Sequence, residues 1–148
     1  MNAYVAIGPD GTVYFGADDS NFYAVDGSAG AVKWKCTTNS IVNASPTVCA
    51  DGSVYFGSWD GSFCALDSKG KLKWFFTINS YVSSGAALAN DGTVIFGCAD
   101  HNVYAVNGAD GSKKWSYGTG AEVVTTPVIG SDGTVYFGSN DKTMYAVK

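Results

Sequence analysis

The chain has no arginine, a single histidine (His101), a single glutamate (Glu122) and three prolines among its 148 residues. Without arginine it lacks the planar fork that clasps phosphates and base edges. Its nine lysines are outnumbered by thirteen acids, for a formal charge of −4. That balance argues against nucleic acid or an anionic membrane surface as partner. One histidine and one glutamate leave any nucleophile–base arrangement to Asp, Lys, Tyr and Ser, so no catalytic residue is nominated. No apolar run approaches the roughly eighteen residues of a membrane-spanning helix, so no membrane span is expected. The first eight residues have neither the basic stretch nor the length of a secretory leader. Helical periodicity of useful length is also missing.

Cysteine is present but unpatterned. Cys36, Cys49, Cys64 and Cys98 form no C-x-x-C pair, and with one histidine they do not make a usual zinc quartet by spacing. They are read as free thiols packed as small core residues, with neither a metal nor a cofactor expected.

What the sequence does have is one unit written almost four times. Asp-Gly-Thr/Ser-Val opens at Asp10, Asp51, Asp91 and Asp132, in steps of 41, 40 and 41 residues. Each copy continues into an apolar pair and a glycine, as in Val13-Tyr14-Phe15-Gly16 and Val54-Tyr55-Phe56-Gly57. The second copy predicts strand A at residues 44–49, B at 53–57, C at 62–66 and D at 71–76, joined by Asp-Gly and Gly turns. Neighbouring residues on opposite strand faces are both apolar, the pattern of a sheet buried on two sides. A 40-residue period with four hairpin-like turns suits a four-stranded propeller blade; a parallel β-solenoid is the rival.

The predicted fold is therefore an all-β β-propeller segment over residues 1–148. Strand A of the first blade is expected at 3–8, with repeats starting near 10, 51, 91 and 132 and a last blade lacking strand D. A half-ring of about four blades exposes both end faces. A second chain placed head to tail would complete an eight-bladed ring, so a homo-oligomer, with a dimer favoured, is the expected assembly. Larger rings, or further sequence in the gene product, are the alternatives.

A second signature follows strand C. It reads Ala24-Val-Asp26-x-x-Ala29-Gly30-x-x-x-Trp34, Ala65-Leu-Asp67-x-x-Gly70-x-x-x-Trp74 and Ala105-Val-Asn107-x-x-Asp110-Gly111-x-x-x-Trp115. A small alanine leaves room for an indole, and the glycine allows the turn and close stacking. These residues resemble the tryptophan-docking repeat of the quinoprotein-type (PQQ-like) β-propeller superfamily. That superfamily includes quinone-dependent alcohol dehydrogenases and the propeller lipoprotein of the outer-membrane assembly machinery. The chain departs from the pattern at Asn107, where Asp is usual, and at Ala29, Asp110 and a one-residue deletion, where Thr is frequent. The resemblance implies the fold and, for many members, a periplasmic or extracellular setting. The enzymatic branch adds adjacent cysteines, a carboxylate-rich metal site and a catalytic Asp, none of which has a counterpart here. It resembles the assembly lipoprotein more closely, implying a non-catalytic scaffold or protein-interaction module. A carbohydrate or small-molecule binding module and a fragment of a quinone-dependent dehydrogenase are the alternative readings.

Function is sought where the copies differ. The B–C and D–A loops share one rim, and there Trp59 replaces Asp18, Ala99 and Asn140 of the other copies. Trp59, Tyr81, His101, Asn39 and Glu122 are the candidate recognition rim; an exposed Trp59 indole would stack on a sugar or anchor a protein or peptide partner, with packing across the rim as the other reading. Asp19, Asp60, Asp100 and Asp141 recur in phase and are read as loop caps. Asn43-Ala44-Ser45 matches a glycosylation sequon.

Overall fold

In the computed structural model, which describes residues 4–148, fifteen strands form four antiparallel sheets. Blade 1 comprises β1 (Val5–Ile7), β2 (Thr12–Gly16), β3 (Asn21–Asp26) and β4 (Val32–Thr37). Blade 2 comprises β5 (Thr47–Val48), β6 (Val54–Gly57), β7 (Ser62–Leu66) and β8 (Leu72–Thr77). Blade 3 comprises β9 (Ala86–Leu88), β10 (Thr93–Gly97), β11 (Asn102–Asn107) and β12 (Lys113–Gly118). Blade 4 has three strands, β13 (Val128–Ile129), β14 (Val135–Gly138) and β15 (Met144–Val147). In each sheet the strands lie in chain order. This is the all-β propeller architecture that the repeat predicts, and no parallel rungs or helical crossovers occur among the described residues. Ala3, part of the predicted first strand, lies outside them.

Strand A is shorter than the sequence pattern suggests, and the cause is proline. In blades 1 and 3, Val5 and Ala86 pair with Phe15 and Phe96. The same repeat position holds Pro46 in blade 2 and Pro127 in blade 4. Proline has no amide hydrogen for the ladder. Accordingly β5 and β13 keep only two residues each, and Ala44 to Pro46 belong to the loop.

The Asp-Gly turns close as expected. Asp10, Asp51, Asp91 and Asp132 each accept the backbone N–H two residues on, at 2.9–3.1 Å. Between strands C and D a register shift leaves one extra residue on strand D of blades 1 to 3. That residue is Lys33, Lys73 or Lys114. A bulge redirects its side chain, and each lysine reaches its own blade's A–B turn. Lys33 lies 3.1 Å from Asp10, Lys114 lies 3.1 Å from Asp91, and Lys73 donates to Ser53 Oγ at 3.2 Å.

Two repeated contacts weld each blade to the next. Phe22 of blade 1 stacks on Phe56 of blade 2 with ring centroids 4.1 Å apart. Phe63 of blade 2 stacks on Phe96 of blade 3 at 3.8 Å, and Val103 shares a core cluster with Phe137 of blade 4. Burying each phenylalanine contributes about 1.5–3 kcal/mol, with about 0.5–1.5 kcal/mol more from stacking. The second weld is the tryptophan. Trp34 donates its indole N–H to Ser68 O at 3.2 Å, and Trp74 donates to Gly108 O at 2.8 Å. Each indole thus lies against the C–D turn of the following blade, where a Cβ on Gly70 or Gly111 would come within 2.6 Å of the ring. Only glycine fits that approach, and both have positive φ.

Candidate recognition rim

The rim is assembled by the D–A loops, each lying between the B–C loops of two consecutive blades. Val42 N–H donates to Ala17 O of blade 1, while Trp59 N–H of blade 2 donates to Ile41 O. The same pair of bonds recurs at Val82/Ser58 with Ala99/Tyr81, and at Val123/Cys98 with Asn140/Glu122. Val42, Val82 and Val123 are fully buried beneath these loops. Their preceding residues, Ile41, Tyr81 and Glu122, therefore stand in register on a rigid backbone.

Three of the five expected residues come together there. The Trp59 and Tyr81 rings lie 5.4 Å apart and tilted by 37°. Tyr81 donates its hydroxyl to Glu122 Oε1 at 2.7 Å, and Asn140 Nδ2 donates to Glu122 Oε2 at 3.2 Å. At the other end Trp59 donates its indole N–H to Asn43 Oδ1 at 2.8 Å. The result is a continuous ladder, Asn43–Trp59–Tyr81–Glu122–Asn140, from the loop before blade 2 to blade 4. Trp59 remains 44% exposed, so much of its ring still faces solvent. The bond to Glu122 raises the Tyr81 pKa, with burial adding to it, so the phenol stays protonated and donating.

Asn39 and His101 are placed differently. Asn39 contributes its backbone, whose N–H donates to Asp60 Oδ2 at 2.8 Å and ties blade 1's loop to blade 2. His101 has a left-handed backbone, φ 71°, at the loop position that Ser20, Gly61 and Lys142 also hold with positive φ. Its carbonyl accepts from Thr119 N at 2.8 Å, while its exposed imidazole makes no hydrogen bond among the described residues.

The recurrent aspartates are loop caps. Asp19, Asp60, Asp100 and Asp141 each accept the N–H two residues on, at 2.9–3.1 Å. Burial pushes the Asp60 carboxyl up, but bonds from Ser62, Asn39 and Ser58 together hold it below its usual range. For Asp141 the Tyr145 hydroxyl leads, and the pKa falls to about 2. Among the described residues no three His, Cys, Asp or Glu side chains are grouped to hold a metal. All four cysteines are free; Cys64 and Cys98 are buried, and burial lifts their pKa values to about 11 and about 12.

Asn43 was legible only as a sequon, and its service to Trp59 was missed. The available signal was coincidence: Asn43 and Trp59 both stand at positions where every copy differs, with Ser83 and Val124 equivalent to the first and Asp18, Ala99 and Asn140 to the second.

Comparison with known proteins supports the architecture. The solved structure of BamB from Moraxella catarrhalis superposes with a TM-score of 0.82 at 21% identity, covering 96% of this chain. The chain spans 44% of that protein's length. The computationally designed Ika4 protein matches at TM-score 0.83 and 20% identity, covering 97% of this chain and 88% of Ika4. The designed Ika8 protein matches at 0.84 and 20%, covering 97% and 44% respectively. At these identities the likeness is one of fold. No curated protein matches by sequence. The family described as outer membrane protein assembly factor BamB matches over residues 1–148, and the chain belongs to that family.

Proposed function

We propose that the chain is a non-catalytic propeller segment, one unit over residues 1–148, that serves as a protein-interaction scaffold. The observation that carries this reading is the rim ladder, in which a half-exposed indole is braced on both sides by residues of other loops. A rigid aromatic anchor on a fixed backbone binds with little ordering cost, as interface hot spots do. Family membership makes an outer-membrane or periplasmic setting, and a protein of an assembly machinery as partner, the proposed context.

Ring closure by a second copy belongs to the same proposal. Phe22, Phe63 and Val103 are fully buried by the next blade, whereas Met144 at their repeat position is 73% exposed. Its neighbour on that face, Val128, is 63% exposed. On blade 1 the opposite face leaves Val5 at 58% and Ile7 at 71%. The two faces repeat the complementary sides of each internal junction, so head-to-tail stacking of two copies buries both.

Peptides selected by display on the wild-type chain test the rim. Binding should fall about thirtyfold in Trp59→Ala, the effect of about 2 kcal/mol. Binders indifferent to Trp59, or a sugar array that binds through it while peptides do not, would overturn the protein-partner reading. For closure, sedimentation should give twice 15.4 kDa, reverting to a monomer in Met144→Glu. A wild-type monomer at high concentration refutes it.

A further inference from the structure

Charge is divided unevenly between the two rims. The B–C and D–A loops of the recognition rim carry six acids, Asp18, Asp19, Asp60, Asp100, Glu122 and Asp141, against one lysine, Lys142. That rim thus holds a net −5 where the whole chain holds −4. The carboxylates are also treated differently. On the opposite rim Asp10, Asp91 and Asp132 are each paired with a lysine at 3.1–3.3 Å. On the recognition rim no ion pair forms among the described residues. Its carboxylates take neutral donors instead: backbone N–H groups, and the phenols of Tyr23, Tyr81 and Tyr145 on Asp19, Glu122 and Asp141. Lys35 of β4 acts on Asp19 without pairing with it. Such bonds keep a carboxylate ionised without cancelling its charge. The Tyr23 hydroxyl holds Asp19 below its usual range, and the Tyr145 hydroxyl leads in holding Asp141 at about 2.

An aromatic platform stands among these charges. The indole N–H of Trp59 is engaged by Asn43, and Tyr81 packs against the ring at a tilt. With its one donor taken, the exposed indole offers a ligand its face, the electron-rich part of the ring that attracts a cation. Asp60 follows Trp59 in the chain, and the Glu122 carboxylate accepts from the Tyr81 hydroxyl behind it. Carboxylates alone would draw in any cation. An aromatic face selects one carried on an apolar stem or a flat guanidinium, as in lysine and arginine. An acidic segment would meet like charge there, and a neutral one would leave the rim's charge unmatched.

We propose that the rim's partner is a basic segment of another protein, which lays an arginine or lysine side chain on the exposed face of Trp59. The stem or guanidinium plane of that side chain covers the indole, and the surrounding carboxylates balance its charge. The rim's long-range field speeds the encounter, and the stacked cation fixes the register. This rests on the rim being a protein-binding surface and names the chemistry of its partner.

The test uses the full chain and two fluorescein-labelled peptides, one alternating arginine with glycine and the other citrulline with glycine, read by anisotropy. Citrulline keeps arginine's shape and loses its charge. The arginine peptide should saturate and bind about tenfold tighter than the citrulline peptide. Trp59→Leu should weaken it about threefold, and Trp59→Phe should recover most of that loss, because phenylalanine restores a ring face. Equal affinity for the two peptides, no saturation, or leucine serving as well as phenylalanine would overturn the proposal. The display-selected peptides separate this failure from failure of the rim itself. Trp59-dependent binders free of arginine and lysine would overturn the basic partner alone, whereas binders indifferent to Trp59 would overturn both.

Discussion

Three glycines at one repeat position separate the strain of a turn from the packing of a tryptophan. Gly30, Gly70 and Gly111 all have positive φ, between 69° and 79°. An alanine Cβ at Gly30 meets nothing within 4 Å. At Gly70 it falls 2.6 Å from Trp34 Cδ2, and at Gly111 it falls 2.6 Å from Trp74 Cε3. The Trp74 indole cannot swing aside cheaply: Tyr55 and Phe63 flank it at 5.7 and 6.2 Å, and its N–H is bonded to Gly108. Left-handed alanine costs about 1–2 kcal/mol, partly offset by the stiffer unfolded chain, so Gly30→Ala should lose about 1 kcal/mol. Overpacking adds about 1–3 kcal/mol, placing Gly111→Ala at about 2–4 kcal/mol. Gly70→Ala should fall between them, since Trp34 is only half-buried and its bond is longer. Urea unfolding followed by tryptophan fluorescence and circular dichroism resolves this. With a slope of about 1–3 kcal/mol per molar, a 2 kcal/mol difference moves the midpoint by about 1 M. Equal losses at Gly30 and Gly111, within about 0.5 kcal/mol, would mean that the indole yields and that docking does not lock the blades.

Phe63→Ala should lose about 3–5 kcal/mol by the same unfolding assay, whereas Met144→Ala, its exposed equivalent, should lose under about 0.5 kcal/mol at concentrations where the chain is monomeric. Equal losses would show that blade faces do not carry the stability. At pH 8 a thiol reagent should label Cys64 and Cys98 slowly in the folded chain and all four cysteines rapidly in urea, since burial raises these pKa values to about 11 and about 12. Fast labelling of Cys98 in the native chain would contradict its burial. Asp10, Asp26, Asp91 and Asp141 sit at about 2, led by hydrogen bonds from Thr12, Ser28, Thr93 and Tyr145 respectively. The unfolded chain takes up these protons first, near the usual value of about 3.9. Their stabilisation is therefore complete above about pH 4 and lost as the pH falls toward 2. The urea midpoint should stay flat from pH 7 to 4.5 and drop below 4; a fall between pH 7 and 5 would place the responsible groups elsewhere.

The repeat made the fold legible because its residues answer to their neighbours. Phe56 and Phe96 recur because each receives a ring from the preceding blade, and Gly70 and Gly111 recur because each receives an indole. Comparing the copies therefore works as an internal alignment, and departures in the rim loops lie outside the stacked faces. Trp59, Tyr81 and Glu122 were visible as departures of that kind. Their connections were not, because Trp59 meets Tyr81 and Tyr81 meets Glu122 across blades, 22 and 41 residues apart. No local periodicity encodes such a pairing; it follows from the backbone bonds that hold each D–A loop between the B–C loops of two blades. His101 illustrates the converse, since a rare residue type drew notice while its position serves a left-handed turn that Ser20, Gly61 and Lys142 hold in the other copies. The lysine bulge was hidden for another reason: Lys33 and Lys114 look like solvated charges until the register shift turns them onto Asp10 and Asp91. Once that shift is known, the lysine belongs to its own blade's A–B turn, and Lys73 meeting Ser53 is the same contact in blade 2.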